Sequence, residues 1–298
     1  MCGIVGLLLK RESLRPRLGE LMVPMLIGMT ERGPDSSGMA VYTDVVTEAR
    51  RKLSLYCAEP GFDWRGFGEA LTELLGDAAF EIKANHCIVA TAFEPAKVRE
   101  WLARRYPRVH VLSVGRSIDV YKDIGLPAHV AERYGFSQLH GTHLVGHTRM
   151  ATESAVTPEN AHPYTAGEDW CLVHNGSLAN PGSLRRKLEK LGEHFESDCD
   201  TEAACRYLHW RLASGDTLER ALEHAFRDFD GFFTFLMGTR DKLALVRDPF
   251  ACKPAVVAET DDYVAIASEF RSLAHLPGIG HAAVFEPKPA EVYAWSVQ

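Results

Sequence analysis

Cys2-Gly3-Ile4-Val5-Gly6-Leu7-Leu8-Leu9 is the stretch that decides the fold. Apolar residues and glycines follow one another without a polar break, the pattern of a strand buried on both faces. Such a strand holds its own start inside the protein. Removal of Met1 would leave Cys2 with a thiol and a free α-amine on one residue. A free thiol titrates at about 8.5 and an α-amine at about 7.7–8.0, so the neutral amine can take the thiol proton near neutral pH. The alternative is that Cys2 is a small apolar residue near a chain end.

Composition narrows the function classes. The 298 residues carry 46% hydrophobic content and a formal charge of −7, enough for one large α/β domain or two modest ones. Basic clusters are as short as Arg104-Arg105 and Arg185-Arg186-Lys187, which argues against a nucleic-acid partner. No apolar run reaches the roughly 18 residues of a membrane span, and the N-terminal apolar stretch lacks a basic lead, so a cytoplasmic protein with no membrane partner is expected. Seven cysteines, an odd number without a Cys-x-x-Cys pair, indicate neither a disulfide framework nor a metal site. Gly66-Phe67-Gly68 and Gly278-Ile279-Gly280 each lack the third glycine of a dinucleotide motif.

Periodicity predicts strands at 2–9 and 38–43 around a helix near 18–31, with a loop from Gly33 to Gly38. From 44 to 141, strands at 51–56, 86–92, 108–114 and 116–121 alternate with helices at 65–76, 95–105 and 127–135, the pattern of an α/β insertion. Strands at 143–150 and 169–174 precede helices at 181–191, 201–213 and 216–228. Short apolar strands follow at 231–238, 242–247, 254–258, 263–268 and 291–296, which suits antiparallel sheets.

Four clusters accompany Cys2: Arg32-Gly33-Pro34-Asp35-Ser36-Ser37-Gly38, Gly146-His147-Thr148-Arg149-Met150-Ala151-Thr152-Glu153-Ser154, His174-Asn175-Gly176, and Asp200-Thr201-Glu202. In this order behind an N-terminal cysteine they resemble the class II glutamine amidotransferases, N-terminal-nucleophile hydrolases. Arg247-Asp248-Pro249, Lys253-Pro254 and Ala267-Ser268-Glu269 extend the likeness over nearly the whole chain outside 44–141. The resemblance implies an α+β fold, a four-layer αββα sandwich of two antiparallel sheets, as one domain over 1–298 with the inserted segment at 44–141.

It also implies roles. Cys2 would attack the carboxamide of L-glutamine, and the Asn175 side chain with the Gly176 N–H would stabilise the oxyanion. Arg149 would bind the substrate carboxylate, Asp200 its ammonium, and Thr152 would add a contact. Asp200 before Thr-Glu is also an ordinary helix N-cap, and Asn175-Gly176 an ordinary turn. Arg32 and Asp35 would brace the site, and His147 shares the strand face of Arg149. Met150 and Glu153 stand where many members have tryptophan and histidine.

The run from Gly146 to Pro163 is most similar to stand-alone amidotransferase subunits of glutamate-synthase-like complexes, N-methylglutamate synthase among them. That implies hetero-oligomeric partner subunits carrying FMN and iron–sulfur centres, with no cofactor or metal on this chain. A regulatory subunit handling ammonia or methylamine, and an independent amide hydrolase, are the other readings.

Overall fold

The computed structural model describes residues 2–76, 78–151 and 156–297. The chain runs through β1 (Gly3–Leu9), α1 (Leu18–Ile27), β2 (Ser36–Tyr42), β3 (Arg51–Cys57), α2 (Trp64–Leu75), β4 (Ala78–Lys83), β5 (His86–Thr91), α3 (Pro95–Arg105), β6 (Val109–Gly115), β7 (Ile118–Ile124) and α4 (Pro127–Arg133). It continues with β8 (His143–Arg149), β9 (Tyr164–Thr165), β10 (Cys171–Leu178), α5 (Pro181–Glu189), α6 (Asp200–Ala213) and α7 (Leu218–Asp228). The last strands are β11 (Gly231–Thr239), β12 (Lys242–Arg247), β13 (Val256–Glu259), β14 (Tyr263–Ala267), β15 (Ala283–Phe285) and β16 (Val292–Ser296).

β1 is the middle strand of a seven-stranded sheet ordered β15-β13-β14-β1-β8-β2-β7. Both of its faces are covered, which is why its sequence is apolar at every position. Val5, Leu7 and Leu9 pack with Leu21, Met22, Met25 and Leu26 of α1 and Val130 of α4. Ile4 and Leu8 point the other way, into a core shared with Val173, Leu236, Leu243 and Leu245 of a five-stranded sheet ordered β16-β12-β11-β10-β9. Gly6 is small because Leu236 of that sheet presses on it: a Cβ there would lie 2.8 Å from Leu236 Cδ2. The outer face of the second sheet packs on α5, α6 and α7 through Leu184, Leu188, Leu208 and Leu222. Fully burying each such side chain contributes roughly 1.5–3 kcal/mol. The result is the predicted αββα order of layers, with antiparallel pairing between the named strands.

The segment 44–141 divides in two. Residues 51–115 form a separate four-stranded sheet, β4-β5-β3-β6, packed on α2 and α3 around Leu53, Leu55, Phe67, Leu71, Val89 and Leu102. β7 and α4 instead belong to the main fold, β7 as the edge strand beside β2 and α4 in the helical layer. The separate sheet ends at residue 115. Polar contacts seat it on β7. Lys52 makes a buried ion pair with Asp119 at 2.6 Å, and Val120 N–H donates to Ser54 Oγ at 2.9 Å. Ion pairs of this kind fix geometry more than they add stability.

Candidate active site

Cys2 sits at the head of β1, partly exposed, where three elements meet. Arg32, in the turn after α1, donates from Nε to the Cys2 carbonyl at 3.0 Å and from Nη1 to Glu269 at 2.8 Å. Ser268 Oγ accepts Ile4 N–H at 3.0 Å, and Ser268 N–H donates to the Ile4 carbonyl. The backbone on both sides of the nucleophile strand's start is thereby held. Burial pushes the Cys2 thiol up, while the Met150 N–H and the Arg149 guanidinium pull it back and Asp200 pushes it further up. The resting group is a thiol, and attack on an electrophile needs a base to remove its proton.

β8 brings Arg149 beside that thiol. Gly3 pairs with Thr148 and Ile4 with His147, so one step further along the register Cys2 comes level with Arg149. Thr148 turns toward the helices and donates to the Met29 carbonyl, whereas His147 and Arg149 face the second sheet. Asp35 lies just before β2, which begins at Ser36 inside the segment predicted as loop. Its carboxylate accepts Ala151 N–H at 2.8 Å, and its own N–H donates to the Arg149 carbonyl at 3.1 Å. Asp35 thus anchors the chain immediately after Arg149. Thr152 lies outside the described residues.

Asn175-Gly176 is no turn: both residues lie within β10, paired with Thr234 and Phe233 of β11. Phe233 gives its N–H to the Asp248 carboxylate and receives Asp248 N–H at its carbonyl, so it turns its hydrogen bonds away from Gly176. Asn175 is buried and its Nδ2 has no acceptor among the described residues. An unmet buried donor costs roughly 1–3 kcal/mol, so it marks a place where an acceptor is to arrive. Gly176 has φ +155°, and a Cβ there would lie 1.9 Å from the Phe232 carbonyl oxygen. Gly176→Ala is expected to lower stability by about 2–4 kcal/mol, as for strained and overpacked sites, read as a fall in the denaturation midpoint. An unchanged midpoint would show that this backbone has room to shift.

Asp200 is the first residue of α6, after Cys199 at the cap position, and does not act as the N-cap. Its Oδ2 instead accepts Leu178 N–H at 2.8 Å, tying the helix start to the end of β10. Thr201 Oγ donates to Asp200 Oδ1 at 3.2 Å, and His174 Nδ1 lies 3.7 Å from the same oxygen. Burial alone would push the Asp200 carboxyl up. The His174 ring, Leu178 N–H and Thr201 hydroxyl outweigh it and hold the group well below the usual carboxylate range. The ionised Asp200 carboxylate acts on the Cys2 thiol in the sense opposite to the Arg149 cation.

The geometry gathers Cys2, Arg32, Asp35, His147, Arg149, Asn175, Gly176 and Asp200 around one end of the sandwich. Comparison with known proteins decides what this grouping belongs to. A family model described as glutamine amidotransferase domain matches residues 147–275. The "Glutamine amidotransferase-like protein GlxB" of Rhizobium meliloti (strain 1021) is 49% identical over 299 residues, covering 100% of this chain and 99% of that protein. The chain belongs to the class II glutamine amidotransferase family. A "Putative glutamine amidotransferase" of Methanothermobacter thermautotrophicus is 33% identical across 98% of the chain and 99% of its own length. Among solved structures, the glutamine phosphoribosylpyrophosphate amidotransferase of B. subtilis aligns over 98% of this chain and 47% of its own with a TM-score of 0.62. At 18% identity that likeness shows the fold alone.

His162, Lys122 and Thr201 are three further buried side chains of this amidotransferase near these residues. Lys122 lies outside every motif, with nothing in its local sequence to set it apart, and His162 stands near the end of the Gly146–Pro163 run without a role assigned to it. Thr201 was visible only as a neighbour of Asp200. All three are buried against the site, and only the packing of β7 and α6 around the residues after the glutamine amidotransferase motif reveals them. Among the described residues, no group of three or more His, Cys, Asp or Glu side chains is placed to hold a metal ion.

Proposed function

We propose that this chain hydrolyses L-glutamine through a Cys2 thioester and delivers the ammonia to a partner subunit. The observation that carries the reading is the convergence of Arg149 and Asp200 on one thiol: both charges act on Cys2, from opposite signs. A free α-amino acid is the ligand that needs a cation and an anion spaced around a nucleophile. Arg149 offers a planar fork for the carboxylate, and Asp200, kept ionised, an acceptor for the ammonium.

In the proposed reaction Met1 has been removed and the neutral α-amine of Cys2 takes the thiol proton. The thiolate adds to the carboxamide carbon, and the carbonyl oxygen becomes an oxyanion between Asn175 Nδ2 and Gly176 N–H. The C–N bond then breaks, the protonated α-amine supplies its proton to the leaving nitrogen, and ammonia departs. Water attacks the thioester to release glutamate and regenerate the thiol. With Met1 in place the nitrogen is an amide and cannot act as the base.

By resemblance, the acceptor belongs to a glutamate-synthase-like partner such as N-methylglutamate synthase, whose other subunits would carry FMN and iron–sulfur centres. Purification from the native source, with intact mass and identification of copurifying chains, tests both Met1 removal and the partner. A stable lone monomer would count against the assembly.

Arg149→Lys is expected to raise the Michaelis constant for glutamine about tenfold or more while changing kcat less, since a point charge replaces a bidentate fork. Steady-state kinetics check this, and an unchanged Michaelis constant would remove Arg149 from the carboxylate site.

A further inference from the structure

Lys122, on the edge strand β7, is buried where few lysines are. Its Nζ donates to the backbone carbonyls of Ala161 at 2.9 Å, Glu159 at 3.2 Å and Pro163 at 3.5 Å, and stands 4.9 Å over the Tyr164 ring. Among the described residues no carboxylate lies within ion-pair distance of it. Glu159, Glu196, Glu202 and the Cys199 thiol surround it more distantly, and burial pulls its ammonium down to about 8. A cation that gathers three carbonyls of one segment fixes that segment's path.

The segment it fixes carries His162. That ring stacks on His147 with centroids 3.9 Å apart, and its Nε2 lies 2.9 Å from Thr201 Oγ. His174 Nδ1 lies 3.0 Å from the same hydroxyl, which lies 3.2 Å from Asp200 Oδ1. A hydroxyl has one proton and two lone pairs. With its proton on Asp200, Thr201 accepts from both imidazoles, so His162 carries its proton on Nε2 and His174 on Nδ1. His147 Nε2 donates in turn to the His174 carbonyl at 3.0 Å. Among the described residues, the nitrogens left without partners are His162 Nδ1, His174 Nε2 and His147 Nδ1. In neutral rings with these donors, the same three nitrogens are the ones without a proton.

We propose that Lys122, His162 and Thr201 are positioning residues that aim the Asp200 carboxylate at the ammonium of the substrate. The proposal rests on the glutaminase reading above. Lys122 sets the backbone at Ala161, the backbone sets the His162 ring, and the ring with His174 sets the Thr201 hydroxyl on Asp200. None of these three touches the reacting amide.

The test uses Lys122→Met, which keeps the stem and removes the donors, Thr201→Val, which removes the hydroxyl, and Thr201→Ser, which restores it. Each is measured in the assembly in which the wild type hydrolyses glutamine, alongside the rate at which iodoacetamide alkylates Cys2. Lys122→Met and Thr201→Val are expected to raise the glutamine Michaelis constant about tenfold, with a smaller fall in kcat and an unaltered alkylation rate. Thr201→Ser is expected to return it to within about twofold of wild type. A Michaelis constant unmoved in Thr201→Val, or a loss of alkylation equal to the loss of activity, overturns the proposal. If Lys122→Met does not fold, the valine and serine pair decides. A hydrolysing wild type with unaffected variants removes the relay alone, whereas a wild type whose Cys2 is alkylated but which leaves glutamine intact removes the glutaminase reading and the relay together.

Discussion

Cys2→Ser will abolish glutamine hydrolysis, with a fall in kcat of at least about 10⁴-fold, the scale seen when a covalent nucleophile is removed. In the proposed mechanism every other group in the site positions or stabilises, and Cys2 alone forms the bond to the acyl carbon. A serine hydroxyl is far less acidic than a thiol, and an α-amine near pH 8 cannot remove its proton efficiently. The thiol is already pushed up by burial, so the margin available to the amine is narrow even for sulfur. Folding should survive, because the Arg32 and Ser268 contacts hold the backbone of Cys2 and Ile4 rather than the sulfur. Glutamate release and a denaturation midpoint measured on the same preparation check both halves. Comparable hydrolysis by the variant would sink the mechanism. A preparation that retains Met1 should be as inactive as the serine variant, and intact mass separates the two causes.

Asn175→Ala is expected to lower kcat by about 10²–10³-fold, the loss of one oxyanion donor worth about 2.7–4 kcal/mol in the transition state, with a small change in the Michaelis constant. The Asn175 Nδ2 donor is buried in β10 with no acceptor among the described residues. A donor that finds its partner only when negative charge develops on oxygen contributes to kcat rather than to ground-state binding. The same residue makes an opposite prediction for stability. Truncation removes a buried donor that the folded state leaves unmet, so the denaturation midpoint should hold or rise. Steady-state kinetics combined with thermal unfolding read both effects. A fall in stability with kcat unchanged would make Asn175 a structural residue of the strand.

Much of the fold is legible in the chain because its strands are buried on both faces. Gly3–Leu9 reads as a central strand since α1 covers one side and the second sheet the other, leaving no polar position. The short valine-rich segments after residue 231 announce antiparallel strands for the same reason. Edge strands are harder to see. β4 (Ala78–Lys83) is largely exposed and β9 is two residues long, so neither has a burial pattern strong enough to read. The end of the inserted sheet was also hidden, because β6 and β7 are both short, alternating strands and only their partners differ.

The sequence by itself determined the chemistry available to this protein. A cysteine that can become the N-terminus, the order of its motifs and the arginine and aspartate that follow are local facts, written in residue type and order. Tertiary structure alone decided how those residues are held. Asn175-Gly176 can form a turn or a strand, and pairing with β11 selects the strand. Asp200 can cap its helix or face the site, and its bond to Leu178 N–H selects the second. Lys122 has no local signature, and the Gly146–Pro163 run does not show what His162 meets, because the hydrogen bonds of both side chains reach segments 39 residues away in sequence. Hydrogen bonds and burial across such separations depend on the packing of whole layers, which residue order alone does not display.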